Sequence, residues 1–533
     1  MSIARRMIMK PKTYQVEKTD IVALFFIFAG IFVLSRIGII GLFNTGFSIG
    51  CAILLTISFI YLWKKEATSK FFSVVLLVLG LLLVSSFSLS ADNLIKFCTM
   101  VYLPFYATFL MCNVSGNVNL KNGTYKCFTN AVSKTLDGAF LKLDVTFKSY
   151  IEKLTKNKSK NTVYVIVGIA ISIPLLCIVL PLLSSSDIAF ASMVKSIFKN
   201  AGLLLLSLII TVIIFPTVYS YNFSMKKQQA EEAVSKKTTG KLPNIIFNIV
   251  LSTVSFVYCA YAVSQLAYIT KAFAFLLPED FTAAEFARSG FFQMGVISFI
   301  NFVLIALTAI LVKRKGKKIP TSTKALLGFV CLFTVFYIST AIIKMLKYIS
   351  LYGLTHLRVL TSVFMLMLGL IFVVLLFRLF TPKIKYVKAI VIICTVALLC
   401  VSVVDTKTVI AEYNYKQYKD GKIDIDVEQI GSLGVSGIPT LIKLAEDDDK
   451  EVASAAEDEL YGAYISVYER YATPTENSER KIVPIKNKFY EKNLSWIKAK
   501  EVLDEYTKTN PQVYEQFFYD PVDMYVEDLN EVV

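Results

Sequence analysis

Stretches of about twenty mostly apolar residues recur from Ile21 to Val404, and no other feature constrains the fold of this chain as strongly. Hydrocarbon roughly 30 Å thick takes roughly 20 apolar residues per helix. A backbone inside lipid must satisfy its own polar groups, so each stretch predicts a transmembrane α-helix. Eleven spans follow, at 21–43, 45–63, 71–88, 95–112, 161–184, 198–222, 244–268, 289–312, 323–343, 359–380 and 385–404. A mean hydropathy of +0.59 excludes an ordinary soluble multidomain protein. The opening MSIARRMIMKPK has the basic start of a signal peptide, but the long run after it lacks a small-residue cleavage site and reads as a retained first span.

Basic residues orient such a chain, because Lys and Arg concentrate in cytoplasmic loops. With the N-terminus inside, the inner segments hold 32 Lys and Arg and the outer loops only 8. A missed or invented span would scramble that alternation. The expected organisation is a transmembrane bundle over 1–404, with a basic cytoplasmic loop at 113–160, followed by an extracytoplasmic domain over 405–533. The two parts differ in charge, +28 before Asp405 and −12 from it onward. All nine cysteines precede Asp405, so the C-terminal domain folds by core burial alone.

Apolar and acidic residues alternate at helical spacing through DTKTVIAEYNYKQYKDG, IPTLIKLAEDDDKEVASAAEDELYGAYISVYERYA and SWIKAKEVLDEYTK, so the fold class is all-α throughout. The final QVYEQFFYDPVDMYVEDLNEVV reads as a docked or a disordered tail. Within the basic loop, GAFLKLDVTFKSYIEKL suits an amphipathic helix in the headgroup plane or a short cytoplasmic hairpin. Arg36 sits inside the first span; reaching the outer interface or serving as an internal charge both fit.

FARSGFFQM (Phe286–Met294), KMLKYISLYGLTHLR (Lys344–Arg358) and IAEYN (Ile410–Asn414) together resemble a bacterial membrane protein family, domain of unknown function 4173. The resemblance covers roughly 250–444 and implies no activity. Relatives often carry an arginine where this chain has Lys344, which keeps the charge and loses the guanidinium fork.

The first two motifs fall on the outer side and gather Glu285, Arg288, Lys344, Lys347, Tyr352 and Arg358. Two readings fit. One is a cationic pocket for a lipid phosphate or carboxylate, with Tyr348 and Tyr352 as donors. The other pairs Glu285 with a base, lets the rest reach for water, and makes the loop a brace against the soluble domain. If the segment is one helix, Lys344, Lys347, Leu351, Thr355 and Arg358 share a face, unless Gly353 interrupts it.

Catalytic motifs are missing. His356 is the only histidine, which excludes an HExxH zinc site and a Ser-His-Asp triad placed elsewhere in the chain. SKKTTGKLPN lacks the first glycine of a P-loop, and no cofactor or metal is expected. Spans without mid-membrane carboxylates argue against an Asp or Glu proton relay, and nucleic-acid recognition motifs are missing too. The sequence therefore points to a multi-pass bacterial plasma-membrane protein without identified catalysis. Its expected role is binding, assembly or sensing, with membrane lipids and an envelope protein at 405–533 as partners. A transporter or lipid-handling protein and an envelope enzyme are the alternatives.

Overall fold

The structure, a computed structural model, describes residues 13–39, 44–63, 70–90, 92–116, 133–157, 202–227, 242–269, 291–313, 319–469 and 494–510. Among these the only β pairing is an isolated bridge between Leu242 and Val312. The apolar helices are α1 (Lys18–Val33, continued by a π-helical turn over Leu34–Ile39), α2 (Thr45–Leu62), α3 (Lys70–Leu89) and α4 (Asn93–Ser115). Short amphipathic α5 (Leu143–Asn157) follows, then α6 (Gly202–Lys227), α7 (Asn244–Ile269), α8 (Phe291–Leu311), α9 (Thr321–Tyr352), α10 (His356–Phe380) and α11 (Tyr386–Ser402). Nine helices among the described residues are long and apolar enough to cross a membrane, and a tenth crossing is available if α11 and its continuation, bent by 61°, count as one. The chain is an all-α, multi-pass membrane helix bundle with further helices after the last apolar run. The expected span 161–184 and the tail from 512 lie outside the described residues.

The main departures from expectation are at α6, which runs on past 222 to Lys227, and at α9, which runs past 343 to Tyr352 and carries Lys344 and Lys347 as helical residues. Polar residues near the end of a span do not stop a helix whose backbone is already hydrogen-bonded; a conformational break does, and Gly353 supplies it.

After α11 come α12 (Thr406–Lys419), α13 (Val427–Ser432), α14 (Ile438–Ala445), α15 (Lys450–Glu469) and α16 (Leu494–Thr509). The run expected as one amphipathic stretch from Ile438 divides into α14 and α15 at Glu446–Asp449, where covered Asp447 pairs with Lys419 at 2.7 Å and Asp449 accepts from Glu451 N at 3.0 Å at the start of α15. Asp405 caps α12 by accepting from Thr408 N at 3.3 Å, and Asp426 caps α13 by accepting from Gln429 N at 2.9 Å. Ile410, Ile430, Ile438, Leu441, Leu444, Leu460, Trp496 and Leu503 are buried together as the core of these helices. Burial of about eight such side chains, at about 1.5–3 kcal/mol each, offsets the chain entropy that no disulfide reduces.

The chain divides into two compact units: 1–88 with 98–234, and 89–97 with 235–533. In the first, α1 and α2 pack closely where the π-helical turn passes Gly46, at which a Cβ would lie 1.8 Å from the Ile37 carbonyl oxygen. Arg36 sits in that turn, its Nη1 buried without a hydrogen-bond partner among the described residues.

The same unit holds a buried carboxylate. Asp20, fully enclosed at the start of α1, is 2.9 Å from Lys226 Nζ and 2.8 Å from Lys227 Nζ. It accepts from Tyr61 Oη at 2.9 Å and from Glu17 N at 2.8 Å, while Tyr219 Oη donates to its carbonyl at 2.9 Å. Tyr150 of α5 hydrogen-bonds Tyr219. One carboxylate thus ties the start of α1 to the ends of α2 and α6.

Candidate functional site

In the second unit, the turn between α9 and α10 is held by side chains from α12 and α13. Gly353 ends α9 at φ 70° and ψ −173°, a region that is essentially glycine-only. A Cβ there would lie 2.6 Å from Asn414 Oδ1 and 3.0 Å from Ile423 Cδ1, so the position requires both the backbone freedom and the space. The next residue, Leu354, donates its N–H to Asn414 Oδ1 at 2.7 Å, and its carbonyl accepts from Asn414 Nδ2 at 2.7 Å. Gln429 Nε2 also donates to that carbonyl, at 2.8 Å, and Asn414 Nδ2 lies 3.1 Å from Gln429 Oε1. The buried Asn414 amide pairs with the backbone as a neighbouring strand would, and leaves Leu354 no unsatisfied polar group. Thr355 then caps α10, accepting from Arg358 N at 3.3 Å.

Arg358 turns back on the helix that precedes it. Its Nη1 donates to the carbonyls of Tyr352 at 2.7 Å and Gly353 at 2.6 Å, and the guanidinium lies 4.1 Å from the Tyr348 ring centroid. Helix C-termini present unpaired carbonyls and partial negative charge, which a cation satisfies. Tyr348 and Tyr352 meet edge to face at 5.1 Å.

The sequence residues therefore separate as follows. Arg358 and Tyr352 come together at the end of α9. Lys344, half-buried, and Lys347, exposed, stand further back on α9. The shared face that a continuous helix would give stops at Gly353, so Thr355 and Arg358 belong to the next element. Glu285 and Arg288 lie outside the described residues.

Two groups that the sequence reading did not single out, Asp92 and Lys407, meet the lone histidine beside this turn. Asp92, at the start of α4, accepts from the N–H groups of Leu94 at 2.8 Å and Ile95 at 3.0 Å, as an N-cap does. Its Oδ2 is 2.9 Å from His356 Nε2 and 3.3 Å from Lys407 Nζ. His356 Nδ1 is buried with no hydrogen-bond partner among the described residues. Asp92 could be suspected from Ser-Ala-Asp ahead of an apolar run, a helix-start signature, whereas its pairing with a histidine some 260 residues away leaves no trace in sequence spacing. Ser495 of α16 adds a hydrogen bond to the Leu89 carbonyl at 2.9 Å. Among the described residues no group of His, Cys, Asp and Glu is placed to hold a metal ion.

Burial pushes the Asp92 carboxyl up, and the His356 contact, the Ile95 N–H and the Lys407 charge outweigh it, leaving Asp92 well below the usual carboxylate range. A depressed folded value means the contribution is complete above the unfolded value of about 4 and is lost only as pH falls through the lower folded one. Asp92→Asn is expected to lower stability by about 1–3 kcal/mol at pH 7, with the gap to wild type closing only in strong acid. Thermal unfolding across a pH series measures it, and a gap already gone at pH 5 would contradict the assignment.

The family described as Domain of unknown function (DUF4153) matches residues 49–444. Its number differs from that of the family the three motifs resemble, which corrects the expectation, and the match reaches far into the N-terminal spans that the motifs do not cover. No curated protein and no solved structure matches the chain.

Proposed function

This chain belongs to the DUF4153 family, and we propose that it serves in the bacterial plasma membrane as a binding or assembly component that presents its C-terminal helices, 405–533, to an envelope protein on the outer side. The observation that carries this reading is the attachment of α12, α13 and α16 to the ends of the apolar helices. Asn414 and Gln429 hold Leu354, Lys407 meets Asp92, and Ser495 meets Leu89. A domain fixed at two separate turns, α3–α4 and α9–α10, is presented in one orientation, which favours docking a partner over a tethered, freely tumbling module.

The expected orientation draws support from the first unit and from the charge of the loops. Tyr61 meets Asp20, so α1 and α2 leave and return to one side. The lysine bias favours the Asp20 side as cytoplasmic, and from there the expected count of eleven spans carries the C-terminal helices to the outer side. Likewise, α5 is held beside Tyr219 near the end of α6, whereas α6 begins across the bilayer at Gly202, and the apolar run 161–184 is long enough in sequence to supply the crossing between them.

The alternatives, a lipid-handling or transport protein using the outer basic cluster and an envelope enzyme, receive less support. Arg358 is engaged with two carbonyls and a tyrosine ring, as a brace would be. The test places photo-crosslinking residues in the full-length protein in intact cells, at exposed Asp458 on α15 and at Lys347. A discrete protein adduct at 458 that disappears with Asn414→Ala is expected. Solvent-only quenching at 458, together with lipid adducts at Lys347 that require Arg358, would transfer the case to lipid handling. The side is tested by Asp448→Cys in a cysteine-free background, which should react with an impermeant maleimide on whole cells. Reaction only after lysis would overturn the orientation.

A further inference from the structure

Among the described residues, the segment from the π-helical turn Asp137–Leu141 through α5 packs on α6 and on the stretch before α1. Gly138 accepts from Ser220 Oγ at 2.7 Å, Thr146 Oγ1 lies 3.1 Å from the same hydroxyl, and Tyr150 reaches Tyr219 and packs on Phe223. Lys153 Nζ donates to the Val16 carbonyl at 2.7 Å, and Ser149 Oγ accepts from Tyr14 N at 2.9 Å. The α6 residues in these contacts fall within Tyr219–Phe223, about 6 Å of helix axis, while the segment they hold runs from Gly138 to Tyr150, about 18 Å if helical. A helix lying alongside α6 would touch it over a matching length. This one runs across it, and therefore across the direction of the bilayer normal.

On the opposite side the segment is apolar. Leu136, Phe140, Leu141, Phe147 and Ile151 are exposed, Leu141 to 73% and Phe140 to 60%. In α5 the charged Asp144, Lys148 and Glu152 form the flank beside Phe147 and Ile151, and Lys148 pairs with Asp144 at 3.3 Å. Such a division is wasted on water. The level is also that of a membrane boundary, since Tyr61, Tyr219, Lys226 and Lys227 gather there at the ends of spans. Exposed Val22 and Ile60 carry the apolar surface on from the spanning helices α1 and α2 at the same end.

We infer that residues 136–151 form an interfacial helix whose stripe of Leu136, Phe140, Leu141, Phe147 and Ile151 is embedded at the boundary between headgroups and acyl chains, on the Asp20 side of the membrane. The occupant of this surface is the lipid bilayer itself, and the charged flank lies toward the headgroups. This holds whether or not the C-terminal helices bind a partner.

The test uses full-length, cysteine-free protein reconstituted in vesicles of phosphatidylcholine and phosphatidylglycerol, with a polarity-sensitive fluorophore on single cysteines at Phe147, Ile151, Asp144 or Lys148. All four positions are exposed, so labelling spares the packed face. Nitroxide-bearing lipids are expected to quench positions 147 and 151 at least about twofold more than 144 and 148, with blue-shifted emission at the first pair. Equal quenching at all four, or quenching of 147 and 151 only by aqueous iodide, would overturn the inference. So would blue-shifted emission that nitroxide lipids leave untouched, which would mean that protein covers the stripe.

Discussion

Asp20→Ala is expected to destabilise the first unit by about 3–5 kcal/mol, because it leaves two lysines facing a site built for a carboxylate. Asp20 is fully buried, and Lys226 and Lys227 are mostly covered, so water cannot replace the lost partner. Tyr61 loses its acceptor at the same time. The contrast is Glu17→Gln, which removes one contact at 2.9 Å from Lys227 on a side chain that is 62% exposed; solvent screens that pair, and the expected cost is below about 1 kcal/mol. Heating detergent-solubilised protein and following the monodisperse fraction by size-exclusion chromatography compares the two. Equal stability of the two variants would show that Asp20 is not the tie between α1, α2 and α6.

Gly353→Ala is the second large effect. The residue combines positive φ with extended ψ, which costs a non-glycine residue about 1–3 kcal/mol or more, and a methyl group would also meet Asn414 Oδ1 at 2.6 Å. If Asn414 retreats, the Leu354 N–H loses its partner, worth about 1–3 kcal/mol when buried, and the carbonyl is left with Gln429 alone. The expected result is detachment of α12 and α13 from the turn, seen as new protease cleavage between 353 and 430. Gly421→Ala serves as the control. Its φ is 68° but nothing lies within 4 Å of an added Cβ, so only the backbone cost of about 1 kcal/mol applies. Matching losses in the two variants would mean that the Asn414 contact contributes nothing.

The arrangement around Leu354 explains what made parts of this protein legible. YGLTHLR and IAEYN stand out as strings, and the structure brings Leu354 of one to Asn414 of the other. That encounter joins residues 60 positions apart through a side-chain amide that copies a backbone pair, and no periodicity encodes it. The expectation of a basic cluster suffered in the opposite way. Lys344, Lys347 and Arg358 share a face only on an unbroken helix, and a single backbone conformation at Gly353 parts them. Asp20 went unremarked because a carboxylate next to a span looks like solvent-facing charge until two lysines from α6, more than 200 residues later, close over it.

By itself the sequence determined the solvent, the class and the approximate ends of most membrane helices. Those properties depend on the local sum of apolar transfer energies and on backbone bonds made within each segment, which a window of twenty residues contains in full. The tertiary structure decided which charges are buried, which turns grip the C-terminal helices, and that α5 crosses α6 with an apolar stripe left exposed. Each of those rests on contacts between residues distant in the chain, whose energies depend on distances of a few ångströms that only packing sets.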